Sequence, residues 1–329
     1  MGCDGCELWL GKDKVAAELT DHICAGHPAR ASAKGLPAVH KTVADVVGAR
    51  TTSSIYQDRS TIADQLCAKL NLGTATRGGL VDVIRRSCKC YAGLLGTMRS
   101  CHKGHARQFD VAQEFPGRMA EAAAWGPPTA AERAPKPWLT GARRLIFISD
   151  MGDALSKGIP FKYLKREIVD VVASAPGQKH LWLWLTKRPA RMAELGRWLA
   201  KQNVRWPDNL VAMTSVTSQG TAGRVDQLRK VPSKYKALSC EPLFGPLRLD
   251  LRDIDWLIVG GGSDVLAESF HVEWALDLRE QCNASGTAFF LKQLGRHPFY
   301  QGNPLKLQNP HGGDWNEWTR AWQTRTTPF

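Results

Sequence analysis

A chain of 329 residues, 43% hydrophobic and 23% charged, has the balance of a soluble globular protein, long enough for one large α/β domain with appendages or two modest domains. No apolar run approaches the roughly 20 residues of a membrane span, and the N-terminus lacks the basic and apolar regions of a secretory signal, so the cytoplasm is the expected compartment. The net charge of +13, from 44 basic against 31 acidic residues, favours polyanionic partners, nucleic acid first and acidic small molecules second.

The first residues carry Cys3 and Cys6 at a C-x2-C spacing. The region 1–141 then reads as largely helical, through VAAELTDHICAG, TVADVVGA and TIADQLCAKLN. The stretch TRGGLVDVIRRSCKCYAGLLGTMRS leads from a helix into a loop bearing Cys88 and Cys90, and WGPPTAAERAPKPW (125–138) reads as a linker or long loop.

From residue 142 to 296 the pattern becomes regular. RLIFISD (144–150), HLWLWLT (180–186), NLVAMTSV (209–216), YKALSCE (235–241), DWLIVGG (255–261) and TAFFLKQ (287–293) are nearly continuous apolar runs, as parallel strands covered on both faces require. Helical segments at 161–175, 189–202 and 271–286 lie between them, the last ending on Gly286 as a C-cap. Alternation of this kind predicts an α/β fold, a partial or complete parallel βα (TIM-like) barrel. A helical N-terminal region precedes it, and an irregular tail or lid (297–329) follows. No G-x-G-x-x-G follows the first strand, so a dinucleotide-binding Rossmann domain is not supported.

Each strand ends in polar or special residues, which is how the active-site face of a barrel looks. Asp150, Ser215, Glu241, Gly260 and Gly261 are the candidates for cofactor binding. Lys187 and Arg188 could grip a carboxylate or phosphate, and Lys292 and Gln293 close the last strand. His311 and Asp314 in the tail are further candidates for substrate contact, with a hydrogen-bonded loop as the plainer reading. Asp153 is expected to cap the helix that follows it. Trp182 and Trp184 should share one strand face under helices, while Trp315, Trp318 and Trp322 either pack or stack on a base.

Nine cysteines, an odd count, argue against a disulfide framework in a reducing compartment. Two metal readings compete. Cys3, Cys6, Cys88 and Cys90 would make a closed, structural zinc site. Alternatively, Cys3, Cys6 and Cys90 would hold three irons of a [4Fe–4S] cluster and leave the fourth open to a small molecule. Cys24, Cys67 and Cys282 lie in helical apolar patterns and read as buried.

The ordered series GCDGCELW, CYAGLLG, RRLIFISDMGD, LTKRPARM, SCEPLFGPL, DWLIVGGGSD, FFLKQLG and HGGDW resembles the phage- and prophage-associated three-Cys-motif family, largely catalogued as a domain of unknown function. That resemblance covers the first ten residues and about 88–318, and the family is linked to radical S-adenosylmethionine (SAM) enzymes. It implies that Cys90 is the third ligand, with Cys3 and Cys6, and that Cys88 is an extra thiol. It also implies SAM as a cofactor, an electron donor, and a separate three-Cys-motif partner protein. The C-x3-C-x2-C spacing of radical-SAM proteins is absent, and Gly262 stands where the family's GGE-type block has an acid. The expected activity is modification of a nucleobase or nucleotide, as in phage DNA modification. The rival is a zinc-stabilised, non-enzymatic nucleic-acid-binding or interaction protein.

Overall fold

The computed structural model describes residues 12–32, 35–50, 52–87, 112–136, 138, 141–149, 152–264 and 267–329. Cys3, Cys6, Cys88, Cys90 and Asp150 lie outside them. The chain divides into two compact units, one of residues 1–114 with 156–158, the other of 115–155 with 159–329. No described helix is long and apolar enough to cross a membrane.

The first unit is helical. Helices Lys12–Gly26, Gly35–Val47, Thr52–Gln57, Arg59–Lys69 and Thr74–Ser87 surround one apolar core. Val15, Leu19 and Ile23 recur at helical spacing on the first helix and are fully buried, as are Ile62, Leu66, Leu80 and Ile84 on its neighbours. Cys24 is buried in this core and Cys67 half-buried against it.

The second unit is built on a curled, half-barrel sheet of six parallel strands, β1 (Arg144–Ile148), β2 (His180–Thr186), β3 (Leu210–Ser215), β4 (Lys236–Cys240), β5 (Trp256–Gly260) and β7 (Ala288–Gln293). They lie side by side in chain order, β1-β2-β3-β4-β5-β7, so the sheet is singly wound. The register shows why it curls. Ile148, the last residue of β1, pairs with Trp184 while β2 runs on to Thr186; Thr186 pairs with Thr214 while β3 runs on to Ser215; Ser215 pairs with Ser239 while β4 runs on to Cys240. Strand ends that step upward across a sheet are the stagger of tilted, barrel-like strands.

Alternation assigns the two faces. Trp182, Trp184, Leu210, Ala212, Leu238 and Val259 point outward and are fully buried, as the helices between the strands demand. Trp184 stacks on Trp206, 5.8 Å between ring centres. The inner face carries Leu181, Leu183, Val211, Met213, Trp256, Ile258 and Phe290. Trp138 packs edge-on to Phe290, and Phe329 lies edge-on to Tyr235 and Trp256, so rings from outside the sheet fill the end of this face near the strand starts.

The connections follow the expected alternation with one exception. Residues 161–173 form a helix with a π-helical stretch at Lys165–Val169. Pro189–Lys201 starts on a proline, which loses no intrahelical bond there. Val272–Ser285 ends at Gly286, whose φ of +74° is the left-handed cap the sequence predicts. Between β4 and β5, however, residues 241–255 contain no helix. Pro242 and Pro246 lack the N–H groups a helix there would need.

A second sheet of three short strands, β6 (Phe270–His271), β8 (Pro298–Tyr300) and β9 (Asn303–Pro304), orders the start of the tail. Its end covers the open edge of β7: the Thr326 N–H donates to Phe289 O, and the Leu291 N–H donates to Thr324 O. An edge paired in this way cannot template aggregation.

The stretch predicted as a linker is tied to the sheet. Thr129 and Glu132 form a capping box, and the Glu132 carboxylate also accepts from Arg144 at 3.0 Å on β1. The Arg144 guanidinium first, then Thr129, hold the Glu132 carboxyl at about 2, against an ordinary 4.5. A depressed carboxyl contributes stability above its unfolded value and loses it as pH falls through its folded one. Acid titration of unfolding should therefore show a component between 4.5 and about 2 that Glu132→Gln removes; identical curves would contradict it.

Candidate functional site

Glu241 follows the last residue of β4, Gly260 ends β5, and Lys292 and Gln293 end β7. Because β4, β5 and β7 are neighbours, four residues far apart in sequence meet at one corner of the sheet. The Lys292 ammonium donates to both Glu241 carboxylate oxygens, at 3.0 and 2.9 Å. Gln293 Nε2 donates to Glu241 Oε1 at 2.8 Å and to Gly261 O at 3.1 Å. Both partners of this amide are acceptors, so its orientation is fixed and Oε1 turns away from them. Gly260 makes the arrangement fit: a Cβ there would lie 3.2 Å from Glu241 Cγ and Cδ and from Gln293 Cγ.

Burial grades the corner. The Glu241 side chain is 17% exposed and that of Lys292 55%, so a half-buried carboxylate sits behind a solvated ammonium. An ion pair this open contributes little to stability, on the order of 0–1 kcal/mol. It does hold an acceptor and a donor cation side by side at the strand ends, where parallel βα sheets bind their ligands.

Gly261 meets the chain's own backbone. A Cβ there would lie 2.6 Å from Leu294 O and 2.9 Å from Gly295 Cα. Neither neighbour is the tip of a flexible side chain, so Gly261→Ala must move main chain, a cost of roughly 1–3 kcal/mol. Chemical denaturation of that variant should show the loss, and wild-type stability would contradict this packing.

A second cluster forms at the end of β2. Asp153 is buried and accepts from the Leu155 N–H at 2.9 Å, the Thr186 hydroxyl at 2.9 Å, the Lys187 N–H at 3.0 Å and Arg188 Nη1 at 2.9 Å. It therefore does not cap the next helix, which begins at Phe161; it pins the turn after β2 to the loop after β1. Burial pushes its carboxyl above the ordinary aspartate range, against the pull of the Leu155, Lys187 and Thr186 hydrogen bonds. The Arg188 guanidinium thus already holds a carboxylate of its own chain.

The remaining candidates are dispersed. Ser215 is fully buried at the end of β3, and its carbonyl accepts from Arg224 Nη1. His311 Nδ1 is 3.1 Å from Ser263 O, so that nitrogen is the donor. Asp314 accepts from the Asn316 N–H and caps the 3-10 turn Trp315–Glu317.

Arg325 gave no sequence signal. Its guanidinium lies 4.2 Å from the Trp138 ring and 5.0 Å from each of Trp315 and Trp318, and Nη2 donates to Lys292 O at 2.7 Å. Burial lowers it to about 10, with Asp314 opposing. Trp138 and the two tail tryptophans enclose an arginine of the chain itself.

Among the described residues, no three His, Cys, Asp or Glu side chains come together as a metal cage. Cys240 and Cys282 are buried, and burial raises both thiols, Cys282 to about 12. A groove of about 650 Å³ opens beside Tyr235, Asp255 and Thr287, but at the strand starts, the edge opposite Glu241.

Comparison with protein-family models matches residues 80–319 to "Protein of unknown function (DUF5131)". Searches of curated proteins and of solved structures find no match. The matched span takes in all six strands of the curled sheet, both strand-end clusters and well over half of the sequence, and on that ground the chain belongs to the DUF5131 family.

Proposed function

We propose that this protein is an iron–sulfur enzyme of radical-SAM type that modifies a nucleobase or nucleotide, on a partial TIM-like barrel. The observation that carries the reading is the meeting of Glu241, Lys292 and Gln293 at the ends of adjacent parallel strands. Charge supports the substrate class, since a chain at +13 attracts polyanions. The resemblance to a phage-associated family points the same way.

The ligand set comes from the family resemblance, which implies Cys3, Cys6 and Cys90 as the thiolates of a cluster with one open iron. When bound, such a cluster supplies one electron for reductive cleavage of SAM, which requires an external electron donor. The chain's own residues bind and orient. The Glu241 carboxylate, held by Lys292 and Gln293, accepts from an amino group or ribose hydroxyls. Lys292, more than half exposed, faces an anionic group on the ligand. Asp153 fixes the turn that presents Lys187. A three-Cys-motif protein is the proposed partner.

Titrating SAM into the reduced protein while recording its EPR spectrum tests this reading. A changed spectrum is expected on coordination at the open iron, and an unchanged one would overturn the SAM assignment.

A further inference from the structure

Parallel strands are covered on both faces, yet Phe147 on β1 is 42% exposed. It pairs in register with Leu183, so it lies on the inner face, one residue short of the end of β1. Among the described residues no aromatic ring contacts it, whereas every other ring on that face is buried or engaged: Trp256 and Phe290 against each other, Tyr235 against Phe329. An exposed phenyl ring on a concave face has one large π-surface to offer.

The opposite flank of the same face has complementary chemistry. Glu241 and Gln293 Oε1 are acceptors and Lys292 is a cation. From β1 to β4 is three strand spacings, about 14 Å along the arc of the sheet. A ligand that satisfies both flanks has a flat apolar ring at one end, and hydroxyl or amino donors with negative charge towards the other. A nucleoside unit extended by an amino-acid chain or a phosphate has that form.

We infer that Phe147 is the stacking platform for the heteroaromatic ring of a nucleoside-bearing ligand, whose donor-rich part reaches Glu241 and Gln293. The inference rests on the reading of the strand ends as the binding face, and it adds the ring-binding residue. Aromatic stacking on a base is sequence-tolerant, because every base has a π-face, so Phe147 sets the class of ligand and not the identity of the base.

Equilibrium binding of adenosine to the whole purified protein tests it, with methyl riboside as a ring-less probe. Phe147→Ala should weaken adenosine about tenfold or more and leave methyl riboside unchanged, while Phe147→Trp retains adenosine. Glu241→Gln should weaken both probes. Phe147 is too exposed for its replacement to unfold the chain, and a thermal melt of each variant verifies this. Competition separates the two sources of such a ring. Displacement of adenosine by S-adenosylhomocysteine assigns the platform to the cofactor, and displacement by a short single-stranded oligonucleotide assigns it to the substrate. Equal adenosine affinity in wild type and Phe147→Ala, no measurable adenosine binding to wild type, or displacement by neither competitor would overturn the inference. Metal analysis of the same sample keeps the readings apart: a zinc protein with Phe147-dependent adenosine binding would refute the iron–sulfur enzyme and leave the platform standing.

Discussion

Cys90→Ser is expected to abolish iron binding, while Cys88→Ser leaves the iron in place. The two cysteines are two residues apart, so this pair of variants compares almost the same position in sequence. With three thiolates on a cluster that has one open iron, loss of any of Cys3, Cys6 or Cys90 removes a third of the protein ligands. Serine is a poor replacement because its hydroxyl is not ionised near neutral pH. Cys88 has no ligand role in this account, and its substitution should leave iron content within error of wild type. A closed four-thiolate zinc site reverses the outcome: Cys88→Ser would then lose metal and stability together with Cys90→Ser. Iron and zinc per chain in the three proteins decide between them.

Asp153→Ala is expected to destabilise the protein by about 3–5 kcal/mol, because it leaves a partly buried guanidinium without its carboxylate. The Asp153 and Arg188 side chains are 8% and 16% exposed, so water compensates little. The Thr186 hydroxyl and the Leu155 and Lys187 N–H groups lose their acceptor as well. The pH dependence is the reverse of the usual carboxylate case. Burial raises the folded value above the ordinary 3.8, so the native chain holds this proton more tightly than the unfolded one. Its contribution is full below 3.8 and declines as pH rises from there through the raised value. Asp153→Asn should flatten that slope. Urea denaturation of wild type, Asp153→Ala and Asp153→Asn across this range measures both effects, and a change under about 1 kcal/mol in Asp153→Ala would show that the cluster is solvated.

The strands were legible because each is a nearly continuous apolar run, and all six lie within two residues of the expected bounds. Their adjacency was not, since nothing in SCE or LKQ says that β4, β5 and β7 are neighbours; register alone brings Glu241 to Lys292. Asp153 reads locally as a helix cap because its true partner, Thr186, lies 33 residues away. Arg325 is one of many charged tail residues until Trp138, Trp315 and Trp318 enclose it. Phe147 hides inside RLIFI, whose apolar run predicts burial on both faces, but its ring on the inner face is 42% exposed while Leu145 on the same face packs against the core. The cysteines present the opposite case: their spacing is plain in sequence, and Cys3, Cys6 and Cys90 fall outside the described residues.

The central claim is that three of these cysteines hold a cluster. Iron, acid-labile sulfide and zinc, measured on protein purified without oxygen, test it most directly. The account predicts about four irons and four sulfides per chain, with a broad absorption band near roughly 400 nm. One zinc and no sulfide would contradict it.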